Sequence, residues 1–191
     1  MKLWTIQTED VYNQVMTTND YRVDWSKSSV AQYWMEPYMW MKKQAVKRGL
    51  KDNGKGLIWS WYKWYTAGRG MDLEALSHDY REGEKYCCMT LEVPDDQVLL
   101  VDTENWVRRI NRARCYPSGV EEIPELYERL MYEYYDEPDK VRQKKIAEDS
   151  WHLVFDFNPD YSEDVEGIFF GLDREMVQDM QFFVGTYKPD Y

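Results

Sequence analysis

A chain of 191 residues, 43% of them apolar, is long enough to bury a core of its own. Its formal charge of −11, from 35 acidic against 24 basic residues, excludes a broad, sequence-independent grip on nucleic acid, which needs a basic surface. Three cysteines, Cys87, Cys88 and Cys115, make neither a disulfide framework nor a metal-ligand spacing, so buried free thiols and no metal are expected. No apolar run reaches the roughly 18–20 residues that span a bilayer, and the opening Met1-Lys2-Leu3-Trp4 lacks a signal-peptide stretch. A cytoplasmic protein is expected.

Residues 2–7 alternate as a first strand, with Leu3, Thr5 and Gln7 on one face and Trp4 and Ile6 on the other. Thr8 is placed to cap a helix that opens on Glu9 and Asp10, buries Val11 and Val15, and closes at Asn19-Asp20. Tyr21 to Asp24 alternates like a brief strand. A helix opening at Ser28 or Ser29 runs to Ala45, and Pro37 inside it lacks the N–H that the helix would use, which predicts a kink. Lys42, Lys43, Lys47, Arg48 and Lys51 form a basic cluster with the pattern of a solvated face.

The most unusual stretch follows. Gly56-Leu57-Ile58-Trp59-Ser60-Trp61-Tyr62-Lys63-Trp64-Tyr65 reads as a strand bracketed by glycines. Alternation puts Trp59, Trp61, Lys63 and Tyr65 on one side and Ile58, Ser60, Tyr62 and Trp64 on the other. Aromatics on both faces predict a central strand, and one face serves equally as core or as a stacking wall for a flat ligand. Arg69, between Gly68 and Gly70, can reach a phosphate because glycines let the backbone approach a ligand closely.

Asp72 to His78 is a helical turn, and His78, Asp79 and Arg81 supply acid, base and anion-contact chemistry or simply an exposed loop. Lys85 to Val93 and Val98 to Val101 are strands joined by turn chemistry at Pro94-Asp95-Asp96. Thr103 caps a helix that buries Trp106, Val107 and Ile110 and turns Arg108, Arg109, Arg112 and Arg114 outward. Residues 119–149 hold two helices separated by Pro138, and Trp151 to Phe155 is a buried apolar segment. Strands at 165–172 and 181–186 close the chain, joined by a short helix at 174–179. The order implies one α+β domain over 1–191, a mixed and mostly antiparallel sheet with helical insertions.

Several segments together resemble a family of small bacterial and phage proteins classed only as a domain of unknown function. They are Leu3-Trp4-Thr5-Ile6-Gln7, Ile58-Trp59-Ser60-Trp61-Tyr62, Leu91-Glu92-Val93-Pro94-Asp95-Asp96-Gln97-Val98, Ser150-Trp151 and Gly167-Ile168-Phe169-Phe170-Gly171-Leu172. The resemblance spans most of the chain and implies the cytoplasm of a bacterium or phage-infected cell, but no activity. A second resemblance is to the ADP-ribosyltransferase fold, in which a polar opening strand holds NAD and a late strand carries paired acids. It implies Thr5 and Gln7 as NAD-binding residues and Glu166 as the catalytic acid. Where the family's second acid would stand, two positions on, this chain has Ile168, which puts transfer chemistry in doubt.

Two functions follow as expectations. One is an ADP-ribosyltransferase-like enzyme or pseudoenzyme that binds NAD or another nucleotide through Thr5, Gln7, Trp59, Trp61, Arg69 and Glu166. The other is a non-enzymatic acidic protein, of phage or mobile-element origin, that blocks a basic host or defence protein.

Overall fold

The computed structural model describes residues 1–27, 29–64 and 70–188, the side chains of 27–32 excepted. Tyr65, Gly68, Arg69 and Ser28, all singled out above, lie outside that description. Among the described residues the chain has six strands and six α-helices, an α+β fold. It forms two compact units: Met1–Leu99 together with the chain from Glu166 onward, and Leu100–Val165.

The first unit opens with β1 (Lys2–Thr8) and α1 (Glu9–Thr18). Thr8 caps α1 by accepting the Val11 N–H, and Asn19 ends it in the left-handed region at φ 58, with its N–H on the Val15 carbonyl. Tyr21 to Asp24 is no strand; a single bridge, Tyr21 to Leu172, the Gly56 N–H on the Val23 carbonyl and the Arg22–Asp173 ion pair tie it down. α2 (Ser29–Lys47) is broken at Trp34, where φ −124 and ψ 28 leave the helical region. Pro37 explains the place: its ring crowds the carbonyl four residues back, at Tyr33, and the backbone yields just after it.

β2 (Ile58–Lys63), α3 (Leu73–Ser77), β3 (Lys85–Glu92) and the start of β4 (Leu99–Asp102) follow. β5 (Val165–Phe169) returns the chain to this unit, and β6 (Val177–Val184) ends its sheet. A 3₁₀ turn at Arg174–Met176 stands where a longer helix is expected from sequence, so β6 begins at Val177 rather than at Gln181. The strand order is β5-β2-β1-β3-β6, and β1–β2, β1–β3 and β3–β6 pair antiparallel. β2 is therefore an interior strand, with β1 on one side and β5 on the other.

The two faces of this sheet differ in chemistry. Leu3, Ile58, Cys87, Met89, Leu91 and Phe169 point to one side, where Val15 of α1 closes a dry core. Ser60 shares that face, and its hydroxyl donates to the Gly167 carbonyl at 2.7 Å, so a buried polar group is satisfied across the strands. The opposite face carries Trp4, opposite Trp61 in the β1–β2 register, and with them Trp59. Burial pushes the Cys87 thiol up to about 11 and the Cys88 thiol up to about 12, so both are inert core groups.

The second unit is built on α4 (Thr103–Ile110), α5 (Pro124–Tyr135) and α6 (Lys140–Ser150). Here the reading of α4 needs two corrections. Its cap is Asp102, whose Oδ1 accepts the Asn105 N–H at 2.8 Å, rather than Thr103. Its buried face is Asn105, Trp106 and Arg109, whereas Val107 is 49% exposed. Arg109, expected outward, has no exposed surface, and its guanidinium lies over the Trp151 ring at 3.8 Å. A planar, weakly hydrated cation stacked on indole satisfies a burial that the helical periodicity of apolar residues cannot express. Asn105 completes the core with a two-way bond to Tyr116, its Nδ2 donating to the carbonyl and its Oδ1 accepting the N–H, each at 2.9 Å.

Asp102 adds a pH dependence. Burial raises its carboxyl above the ordinary 3.8, and donation from Ser162 Oγ at 2.6 Å and from Asn105 N–H only partly opposes this. A carboxyl raised in the folded state favours folding while protonated. Its contribution is present below 3.8 and is lost as pH rises through the folded value. Asp102→Asn keeps a capping acceptor but cannot ionise. We expect the melting temperature of Asp102→Asn, relative to the parent, to be more favourable at pH 7 than at pH 3. Equal differences at both pH values would show that Asp102 is not strained by its charge.

Candidate functional site

In the first unit a cavity of about 410 Å³ opens on the Trp59/Trp61 face of the sheet. This is within the size range of small-molecule sites. Its aromatic wall is Trp59, Trp61, Tyr21 and Tyr80, and its polar groups include Gln7, Asp24 and Glu166. Two neighbouring strands supply the key groups, the tryptophans from β2 and Glu166 from β5; Gln7 of β1 adds to the lining at the edge, its side chain turned to the Leu3/Thr5 face with Nε2 donating to Thr5 Oγ1. Alternation explains the placement of Glu166. Gly167 and Phe169 turn into the dry core, so Glu166 between Val165 and Gly167 must turn toward the cavity face. Gly167 allows β5 to lie this close, because an added Cβ would come within 2.9 Å of Leu3 Cδ2.

The tryptophan wall is braced from behind. Tyr38 meets Trp59 edge-to-face with ring centroids 5.8 Å apart, and Trp25 meets Tyr38 at 6.1 Å. Lys42, from the basic cluster, pairs with Asp52 at 2.9 Å and lies over the Trp25 ring at 5.9 Å. It is thus a bracing residue. Burial, and then the Glu166 charge, raises the Tyr38 hydroxyl above its ordinary value. Burial first, with Asp79, Cys88, Tyr86 and Glu166 adding, raises the Tyr80 hydroxyl further. Both stay protonated around the acid at any physiological pH.

The residues singled out from sequence divide as follows. Gln7, Trp59, Trp61 and Glu166 meet at this cavity, although Gln7 and Glu166 stand far apart in the chain. Thr5 does not line it: Thr5 is fully buried, and its hydroxyl donates to the Trp59 carbonyl at 2.8 Å while accepting from Gln7 Nε2 at 2.9 Å. Its role is to hold Gln7 and the tryptophan strand in register. Arg69 lies outside the described residues. His78 is exposed and its Nδ1 is 3.0 Å from Thr186 Oγ1, away from the cavity lining. Tyr21, Asp24 and Tyr80 were not anticipated. Nothing in a local pattern marks them, since each enters the site from a loop or turn whose position only the sheet determines.

The second unit has its own hollow, about 480 Å³, lined by Asp102, Glu104, Glu121, Glu122, Glu163 and Asp164 among others. Arg108 offsets part of this charge, ion-paired with Glu104 and lying 4.7 Å over the Tyr116 ring.

A family model described as "Domain of unknown function (DUF3841)" matches residues 2–178. The chain belongs to the DUF3841 family. The matched range includes every residue that lines the aromatic cavity and ends one residue inside the start of β6, so the cavity lies wholly in DUF3841 sequence. No curated protein and no solved structure matches the chain. The likeness to ADP-ribosyltransferases therefore finds no support among known proteins. Ile168, where that fold would place its second acid, is fully buried in this DUF3841 chain. Among the described residues no helix is long and apolar enough to cross a membrane.

Proposed function

We propose that this DUF3841 protein binds a nucleotide-like small molecule, NAD being the first to test, with a flat ring laid against Trp59 and Trp61. The observation that carries this reading is the meeting of two indoles with Gln7 and Glu166 in one cavity. Stacking on an aromatic wall is worth about 1–3 kcal/mol per base. The described lining holds two carboxylates, Asp24 and Glu166, and no lysine or arginine. Such a wall favours a ring that presents N–H donors or positive charge, as the amino edge of a purine or the nicotinamide cation does. With Ile168 buried in place of a second acid, the reading is one of binding, with Glu166 recognising rather than transferring.

The test is thermal unfolding with and without NAD, nicotinamide mononucleotide, and adenine and guanine nucleosides. A ligand at 100 times its Kd stabilises the fold by about 2.7 kcal/mol. Trp59→Ala or Trp61→Ala should weaken binding roughly ten- to hundredfold, and Glu166→Gln should weaken it while leaving unliganded unfolding unchanged. No shift with any of these compounds would remove the reading. A second reading, docking on a basic protein, is favoured by the acid-lined hollow of the second unit, and salt-sensitive capture of a basic partner would carry it.

A further inference from the structure

β6 stands at the end of the sheet, and among the described residues no strand pairs with its outer edge. Open edges of this length are normally blunted by lysine, proline or a covering element. β6 has neither lysine nor proline: Val177-Gln178-Asp179-Met180-Gln181-Phe182-Phe183-Val184 carries one charge. On one face its exposed side chains are apolar, with Met180 43%, Phe182 49% and Val184 50% accessible, while Asp179 and Gln181 are exposed on the other. These three share the face of α1, where Tyr12 meets Phe182 edge-to-face at 5.1 Å. The single charge, Asp179, lies on the opposite face.

The backbone agrees with the side chains. Gly185 N–H donates to the Glu84 carbonyl, so by alternation Phe183 and Gln181 also bond inward to β3. Met180, Phe182 and Val184 then turn their N–H and C=O groups outward. The residues that expose apolar side chains are therefore also those that offer the unpaired ladder.

We propose that two copies of this chain pair β6 against β6, antiparallel, about a two-fold axis at Phe182. In that register Phe182 faces Phe182 of the second copy and Met180 faces Val184. Every outward-bonding residue thus meets an outward-bonding residue and exchanges both N–H···O bonds with it. The apolar strip is self-complementary and becomes continuous between the two α1 helices. Asp179 falls opposite Gly185 of the other copy, so no carboxylates meet across the axis. A second copy fits this edge better than a foreign strand because one sequence satisfies both sides. Since each copy carries net negative charge outside the strip, pairing tightens as salt screens it.

Sedimentation equilibrium of the full chain tests this. The parent should be dimeric at about 50 µM and dissociate more readily at low salt. Phe182→Lys and Phe182→Glu should each weaken association roughly 100-fold, because each places like charges face to face on the axis. An equimolar mixture of these two variants should recover a dimer containing one of each, which only self-pairing at position 182 allows. Val184→Lys gives the same reading if a position-182 variant fails to keep the parent's circular dichroism. A monomeric parent at that concentration, a Phe182→Lys chain as dimeric as the parent, or a mixture that stays monomeric would each overturn the proposal.

Discussion

Replacing Arg109 by alanine should destabilise the second unit by about 3–5 kcal/mol, the range for deleting a large, fully buried side chain. Arg109 has no exposed surface, and its guanidinium lies flat on Trp151 at 3.8 Å. Alanine would leave a void under the indole, while Trp151 Nε1 stays tied to the Ala113 carbonyl at 3.0 Å and cannot easily follow. Three substitutions separate the causes. Arg109→Met restores most of the volume and should lose less than half of what alanine loses, because an apolar side chain of similar size replaces a buried charge at little cost. Arg109→Lys keeps the charge but not the plane that stacks, and should fall between the two. Urea unfolding, followed by tryptophan fluorescence, gives the differences. An alanine variant within 1 kcal/mol of the parent would mean that the stack contributes nothing.

The second large effect is expected at Gly185, where two segments of the first unit meet backbone to backbone. Gly185 N–H donates to the Glu84 carbonyl, its own carbonyl accepts from Gly83, and Tyr187 N–H donates to the Tyr80 carbonyl at 2.8 Å. A Cβ on Gly185 would lie closer than 3.0 Å to the carbonyl oxygens of Tyr80 and Arg81. Backbone on both sides cannot step aside as a flexible side chain would. Gly185→Ala should therefore cost about 3 kcal/mol, the upper end for overpacking. The clash also bears on function, since this clamp sets Tyr80, which lines the aromatic cavity. Ligand affinity should fall together with stability in Gly185→Ala, whereas Trp59→Ala should lower affinity with a smaller loss of stability. Unchanged unfolding in Gly185→Ala would show that the clamp can relax.

The cavity was legible in part, and the reason lies in its construction. Trp59, Trp61 and Glu166 sit on strands, where period-two alternation assigns each side chain a face before any contact is known. Gln7 and Thr5 were singled out through the resemblance to the ADP-ribosyltransferase fold. Thr5 lies on the core-facing side of β1, and its hydroxyl is satisfied by the Trp59 carbonyl of the adjacent strand, a partner that only pairing supplies. Tyr80 lies in a segment without periodicity, and the apparent alternation of Tyr21 to Asp24 does not mark Asp24, because that segment forms no strand.

What the sequence determined by itself is local: the caps of α1, the break in α2 ahead of Pro37, the aromatic strand and its two faces, and the single acid, Glu166, set among the apolar residues of β5. Each follows from backbone geometry, missing donors or side-chain period, all of which act within a few residues. Only the tertiary structure decided that β2 lies between β1 and β5, which brings Gln7 and Glu166 to one cavity. It alone turned Arg109 inward, because the ring that receives the guanidinium is Trp151, 42 positions later in the chain (151 − 109). A cation is buried when a distant partner repays its lost hydration, and the residues beside it carry no record of that partner.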